Sequence, residues 1–332
     1  MARALRILLL LAVAVLPACA PGYVLPGPSL NEPELEKSEL VTADGLRLPM
    51  RVWSPGEEPR AIIVALHGFN DHSTAFEMPA VEWARHGIAT YAYDQRGFGS
   101  APNTGRWPGM AALARDAGTA IRLVRARHPG LPVYLLGESM GGAIAMVALT
   151  GADAPPVDGA ILVAPAVWGR QTMGLGKRLA LATISSTMPW LTLSGRGLGY
   201  RPSDNEDMLR AFSRDPLVIK ETRADTVKGL VDLMDAALAA SARFRTPALI
   251  LYGEKDQIVP REPTALMLSR LAGAADRQRV AVYPEGWHML LRDLQAQVVW
   301  ADIRAWIEDP AAPLPSGADR DARLRLEREA AS

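Results

Sequence analysis

Ser139 sits in Gly137-Glu138-Ser139-Met140-Gly141, between the apolar run Val133–Leu136 and the helix-forming stretch Ala143–Ala148. Strand, tight turn and helix in that order hold a serine in a strained backbone with its hydroxyl alone at the apex. The flanking Gly137 and Gly141 remove Cβ atoms that would collide with strand and helix. A serine hydroxyl is a poor nucleophile at neutral pH, so it needs a base to take its proton and a carboxylate to orient that base. His288, in Gly286-Trp287-His288-Met289-Leu290-Leu291, is the histidine that follows Ser139, whereas His67, His72, His86 and His128 precede it. Asp256, in Gly253-Glu254-Lys255-Asp256-Gln257-Ile258-Val259, follows the apolar run before that of His288. Its rivals as the orienting acid are Glu254, two residues away, and the more distant Asp232 and Asp235. Together these residues could carry acyl transfer through a covalent serine intermediate.

Such a constellation needs a scaffold that presents all three side chains at one edge. Leu40–Ala43 and Leu46–Trp53 flank Asp44-Gly45, a strong hairpin signal, so two antiparallel strands should open a sheet. Apolar runs recur at Ala61–Leu66, Ala89–Tyr93, Val133–Leu136, Ala160–Ala164, Ala248–Tyr252 and Val280–Tyr283, mostly separated by helical patterns. This alternation predicts an α/β fold: a doubly wound, mostly parallel sheet covered on both faces, with ligands beyond the strand carboxyl ends. Ser139, Asp256 and His288 all fall at such ends. The stretch 167–243 far exceeds one crossover helix and is expected to be a helical cap over the site. Within it Trp168, Met173, Leu175, Met188, Trp190 and Leu191 either line an apolar acyl pocket or pack cap helices onto the body. Leu294–Ile307 reads as an amphipathic closing helix, and Asp319–Glu329, with Arg320, Arg323, Arg325 and Arg328 among acids, as a solvated or frayed tail.

The 332 residues are 49% apolar and 22% charged, enough for a sizeable core in one large α/β unit with an insertion. Lys plus Arg equals Asp plus Glu at 36 each, which argues against a nucleic-acid surface. At the amino end Arg3 and Arg6 precede the apolar run Ile7–Leu16, an export signal too short for an ordinary membrane span. The single cysteine lies in Leu16-Pro17-Ala18-Cys19, which resembles a bacterial lipobox, with Pro17 a departure. That resemblance implies a diacylglyceryl group on Cys19, cleavage before it and a protein held in the cell envelope. Ala20 lacks the aspartate of inner-membrane retention, so the outer membrane is favoured in a Gram-negative host; a periplasmic or secreted protein is the alternative. Residues 21–37, rich in proline, read as a tether that could reach about 50 Å at ~3.1 Å per residue. The expected divisions are 1–18 signal peptide, 19–38 lipidated cysteine and tether, 39–166 and 244–309 core, 167–243 cap, and 310–332 charged tail.

His67 and His72 lack the spacing of a zinc helix motif, and neither metal nor cofactor is expected. With His67-Gly68-Phe69-Asn70-Asp71-His72-Ser73, Asp94-Gln95-Arg96-Gly97-Phe98-Gly99-Ser100, Gly137–Gly142, Gly253–Val259 and His288–Leu291, the chain resembles the monoacylglycerol lipase and lysophospholipase branch of the α/β-hydrolases, often grouped with serine aminopeptidase-like hydrolases. The resemblance spans most of the body. It implies Ser139 as nucleophile, Asp256 as acid, His288 as base, and the backbone N–H groups of Phe69 and Met140 as oxyanion donors. The implied substrate is a lipid-like ester such as a monoacylglycerol or lysophospholipid. Alternatives are a small-ester carboxylesterase, an aminopeptidase using Glu206, Asp207 or Asp232 to hold the substrate amine, and a non-catalytic ligand-binding lipoprotein. Glu138 stands where many members have histidine, and Asn70 and Asp71 where they have glycine and glutamate; these departures bear on substrate preference.

Overall fold

The computed structural model describes residues 21–195, 199–272 and 277–330. The segment read as an export signal, and Cys19, lie outside the described residues. Nine strands form one sheet in the order β1-β2-β3-β5-β4-β6-β7-β10-β11. They are β1 Glu34–Leu35, β2 Glu39–Val41, β3 Arg47–Trp53, β4 Ala61–Leu66, β5 Ile88–Tyr93, β6 Val133–Glu138, β7 Gly159–Val163, β10 Ala248–Gly253 and β11 Gln278–Tyr283. The hairpin at Asp44-Gly45 joins β2 to β3, with Gly45 at φ 78° where its missing side chain permits the turn. From β5 to β11 every pairing is parallel. This is the mostly parallel, doubly wound α/β sheet expected from the alternation.

Successive strand residues serve opposite faces. Ile62, Val64 and Leu66 of β4 join a core with the helices Met110–Arg127 and Met140–Thr150. Ala61, Ile63 and Ala65 join a second core with the helices Glu77–Arg85 and Ala296–Glu308. The order in which strands are added reverses around β4, which has β5 on one side and β6 on the other. The crevice this creates lies at the carboxyl ends of β4 and β6.

Between β7 and β10 the chain forms the helices Leu175–Thr187, Glu206–Arg214 and Ala224–Ala240, plus a two-stranded ribbon of β8 Thr192–Ser194 and β9 Glu221–Arg223. The helical content was expected; the ribbon was not, because each of its strands is only three residues long.

Two segments differ from expectation. Residues 21–38 do not stand off as a spacer but run along the body: Gly22 N–H donates to Asp225, Val24 N–H to the Trp107 carbonyl, and Leu30 and Asn31 N–H to the Ala43 carbonyl. β1 then pairs with β2. The tail, expected to be solvated, covers the outer edge of β11. Val282 N–H donates to the Ala318 carbonyl, Arg325 donates to the Val282 carbonyl, Asp319 pairs with Arg279 at 2.9 Å, and Ala322 and Leu326 are buried. An edge strand's unpaired backbone groups are satisfied in this way.

Candidate active site

Ser139 occupies the turn between β6 and the Met140–Thr150 helix at φ 53°, ψ −113°, a conformation sparsely populated by any residue with a side chain. Surrounding bonds hold it there. Its N–H donates to the Val163 carbonyl at 2.9 Å, and its carbonyl accepts from Ala143 and Ala166. A Cβ on Gly137 would lie 2.3 Å from Gly141, and one on Gly141 would lie 2.0 Å from the Leu66 carbonyl oxygen. Both glycines are therefore imposed by the close approach of helix to strands.

His288 and Asp256 converge on the serine. His288 Nε2 lies 3.0 Å from Ser139 Oγ, and His288 Nδ1 lies 2.8 Å from Asp256 Oδ2. Asp256 is aimed by its own loop, since its Oδ1 accepts the N–H groups of Ile258 and Val259 at 2.7 and 3.0 Å. With Nδ1–H donating to the carboxylate, Nε2 is left to accept the serine proton. Burial alone would depress the imidazole's proton affinity, but the charge and hydrogen bond of Asp256, with Glu138 behind them, raise it above its ordinary value. Glu254 lies instead beside Arg325, while Asp232 and Asp235 bind Arg170 in the cap.

The N–H of Met140, at the amino end of its helix, and the N–H of Phe69 donate to no acceptor among the described residues. A free amide at a helix start, joined by a second from a neighbouring loop, is what a developing oxyanion needs. The Phe69 loop is tightly braced. Asn70 takes φ 64°, its amide donates to Thr222 Oγ1 at 2.7 Å, and its carbonyl accepts from Ile219 of the cap. His67 is a brace as well: Nδ1 meets the Gly68 carbonyl at 2.8 Å while Nε2 accepts the Gln95 N–H at 3.0 Å. Burial keeps this ring neutral. His72 spans to Asp215 of the cap at 3.0 Å. Asp94 caps the same loop, accepting from the N–H groups of Ser73 and Ser100. No cluster of three His, Cys, Asp or Glu side chains suited to a metal occurs among the described residues.

Arg292 escapes a sequence reading. Its Nη2 donates to Asp71 at 2.6 Å and to Glu138 at 3.2 Å, and all three side chains are buried. Asp71 lies two residues beyond Phe69, Glu138 directly precedes Ser139, and Arg292 lies four residues beyond His288. One guanidinium thus fastens together the loops that carry Phe69, Ser139 and His288. Burial pushes the Glu138 carboxyl up against the pull of Arg292, and its Oε1 has no partner among the described residues. The only sequence signal is a lone cation at the end of the apolar stretch Met289–Leu291.

Above Ser139 opens a cavity of about 630 Å³, walled by Phe69, Trp168, Met173, Leu193, Phe212, Val218, Ile219, Leu230, Val231, Met234, Val259 and Met289. Its floor carries Asp71, Glu138, Ser139, His288 and Arg292. Of the expected pocket residues, Trp168 and Met173 line it. Leu175, Met188, Trp190 and Leu191 do not; they face outward at 66, 43, 48 and 37% exposure. The helix Leu175–Thr187 fully buries only Ser185; Leu181 packs against the core, while Leu175 and Leu179 turn outward. Nor do Glu206, Asp207 and Asp232 reach the cavity: they pair with Arg201, Arg210 and Arg170, respectively.

Comparison with known proteins agrees with this geometry. The chain is 28% identical over 276 residues to the monoacylglycerol lipase of Mycolicibacterium smegmatis, covering 79% of this chain and 93% of that protein. It is 28% identical over 286 residues to human monoglyceride lipase, covering 84% and 93%. A soluble variant of Saccharomyces cerevisiae monoglyceride lipase, solved with a substrate analogue, shares the fold at a TM-score of 0.70 and 19% identity, over 87% of this chain and 99% of that one. Residues 57–295 match the family described as serine aminopeptidase, S33, and the chain belongs to that family of α/β-hydrolases.

Proposed function

We propose that this protein is a serine hydrolase that cleaves the ester of a monoacylglycerol through an acyl-enzyme on Ser139. One observation carries the reading: the Asp256–His288–Ser139 relay opens onto an apolar cavity of about 630 Å³, room for a single acyl chain. The names of the relatives point the same way. His288 Nε2 takes the Ser139 proton as Oγ attacks the ester carbonyl, and the N–H groups of Phe69 and Met140 receive the oxyanion. The imidazolium, stabilised by Asp256, returns the proton to the departing alcohol. Water, deprotonated by His288, then attacks the acyl-enzyme, and the fatty acid leaves with Ser139 restored.

The cavity floor offers an acceptor to a hydroxylated alcohol: Asp71 and Glu138 share the cation Arg292, and a substrate hydroxyl can donate to Glu138 Oε1, which has no partner among the described residues. An amine subsite built from Glu206, Asp207 or Asp232 is disfavoured by the ion pairs those side chains already make.

We also read Cys19 as lipidated, which places the enzyme on the cell envelope, with the outer membrane favoured in a Gram-negative host. The support is the order Arg3, Arg6, apolar run and cysteine; among the described residues no helix is long and apolar enough to cross a membrane. Rates of wild type and Ser139→Ala on nitrophenyl esters, monoacylglycerol, lysophosphatidylcholine and aminoacyl amides test the catalytic reading. Equal rates for the two proteins contradict it. The mass of the mature amino terminus tests the anchor.

A further inference from the structure

Around the helix Glu206–Arg214 the cap folds back onto the body, and its polar links there end on the loops of the site. The entry, residues 201–205, lies on the loop of His288. Met289 N–H donates to the Pro202 carbonyl at 2.9 Å. Trp287 N–H donates at 2.8 Å to Asp293 Oδ2, and the other oxygen of Asp293 accepts the Ser203 hydroxyl at 2.6 Å. The peptide N–H groups on either side of His288 thus both end on acceptors that the cap supplies or aims. Ser203 and Asp293 are buried, so water does not compete for this bond. The Asn205 amide donates to the Arg292 carbonyl at 2.9 Å, while its Oδ1 caps the helix by accepting Met208 N–H at 3.1 Å. Arg201 N–H reaches Gln257 Oε1, next to Asp256, at 2.9 Å.

The exit, residues 215–222, lies on the loop of Phe69. Asp215 Oδ2 meets His72 Nε2 at 3.0 Å, Ile219 N–H donates to the Asn70 carbonyl at 3.0 Å, and the Asn70 amide donates to Thr222 Oγ1 at 2.7 Å. Asn70 directly follows Phe69 at φ 64°, so its side chain holds the loop in a left-handed turn beside the Phe69 N–H. The helix between entry and exit fully buries none of its nine residues, so its seating depends on the bonds at its two ends.

We propose that residues 201–222 are a positioning brace for the chemical step: Ser203, through Asp293, fixes the backbone that carries His288, and Thr222, through Asn70, fixes the N–H of Phe69. The inference rests on the acyl-enzyme reading above and deepens it, giving the cap a part in catalysis besides walling the cavity. In that reading base and oxyanion donor lie on separate loops, and misplacing such groups by about 1 Å costs on the order of a hundredfold in rate. One segment bonded to both loops sets their relative position. Lifting it frees both at once, so the site is complete only with the segment seated.

Ser203→Ala deletes the donor to Asp293, and Thr222→Val keeps the shape of its side chain while deleting the acceptor of Asn70. Each variant, as the full chain with its melting transition recorded, is assayed on a soluble short-chain nitrophenyl ester and on monoacylglycerol. The expected result is a kcat about tenfold lower with KM within about twofold, by the same factor for both esters. Ser139 Oγ adds to the carbonyl carbon of a trifluoromethyl ketone, its proton passing to His288, and the affinity for that ketone should weaken in step with kcat/KM. A purely structural role would lower the melting temperature and leave these constants of the folded enzyme unchanged. Asn70→Gly keeps the left-handed turn but loses the amide, so combined with Thr222→Val it should cost no more than either change alone. This pair also reads the proposal without touching the buried Ser203. An unchanged kcat in either folded single variant overturns the proposal. So does a rise in KM confined to the long-chain ester, which would mark the segment as cavity wall only, or a double variant whose two losses multiply. A wild type inert toward every ester and toward the ketone would overturn the acyl-enzyme reading and this inference with it, an outcome no variant imitates.

Discussion

Arg292 donates to Asp71 across 221 residues of chain and so ties the turn that follows His288 to the loop that carries Phe69. Its second contact, with Glu138, extends the tie to the residue next to Ser139. Arg292→Leu strands two buried carboxylates and is expected to destabilise the fold by about 3 kcal/mol and to lower kcat more than it raises KM. Arg292→Lys should recover part of the stability and less of the rate, because an ammonium cannot reproduce the planar fork. Denaturant melts and Michaelis kinetics of the two variants check this; an unchanged kcat in a folded Arg292→Leu would contradict it.

The backbone of Ser139 is strained at φ 53°, and removing its side chain should release that strain. Ser139→Gly is expected to be more stable than Ser139→Ala by about 1 kcal/mol, although both are inactive. Gly141→Ala goes the other way: its Cβ would press to 2.0 Å from the Leu66 carbonyl oxygen, with an expected loss of about 3 kcal/mol. Urea unfolding midpoints decide both.

His288 works as a base only when neutral. Its proton affinity lies above the ordinary 6.5, so the neutral form is reached at higher pH and the acid limb of kcat/KM should fall above that value. Glu138→Gln removes one charge that holds the proton on, and the limb should move down by roughly half a unit. A rate profile on a soluble ester measures both; a limb at or below 6.5 in the wild type contradicts the assignment.

Leu230 and Met234 wall the cavity from the Ala224–Ala240 helix. Enlarging either to tryptophan should lower kcat/KM for long-chain monoacylglycerols about tenfold and leave short-chain esters nearly unaffected. A chain-length series on each variant reads the effect directly.

How far the sequence foretold this arrangement depended on the range of the forces involved. The parallel sheet was legible because strand runs and helical patterns are local. The convergence of Ser139, Asp256 and His288 was legible because each sits within a few residues of a strand's carboxyl end. Arg292 was not, since its two carboxylates lie 221 and 154 residues away and nothing near it in the chain hints at them. The cap misled for a different reason: Leu175, Met188, Trp190 and Leu191 are apolar, but apolarity does not say which way a helix faces when only one of its residues is buried. The amino-terminal segment read as a tether because it is rich in proline and holds few large apolar residues. It is held by backbone N–H groups, which every sequence possesses, meeting acceptors such as Asp225 and the Ala43 carbonyl.

The central claim is that the Ser139 hydroxyl is activated by His288 and forms a covalent intermediate. Incubation with a fluorophosphonate followed by peptide mass spectrometry tests this most directly. The expected result is one adduct, on the peptide containing Ser139, formed about a thousandfold more slowly or worse in His288→Ala and absent in Ser139→Ala. A folded wild type that takes up no probe, or a Ser139→Ala variant labelled as fast as the wild type, would contradict it.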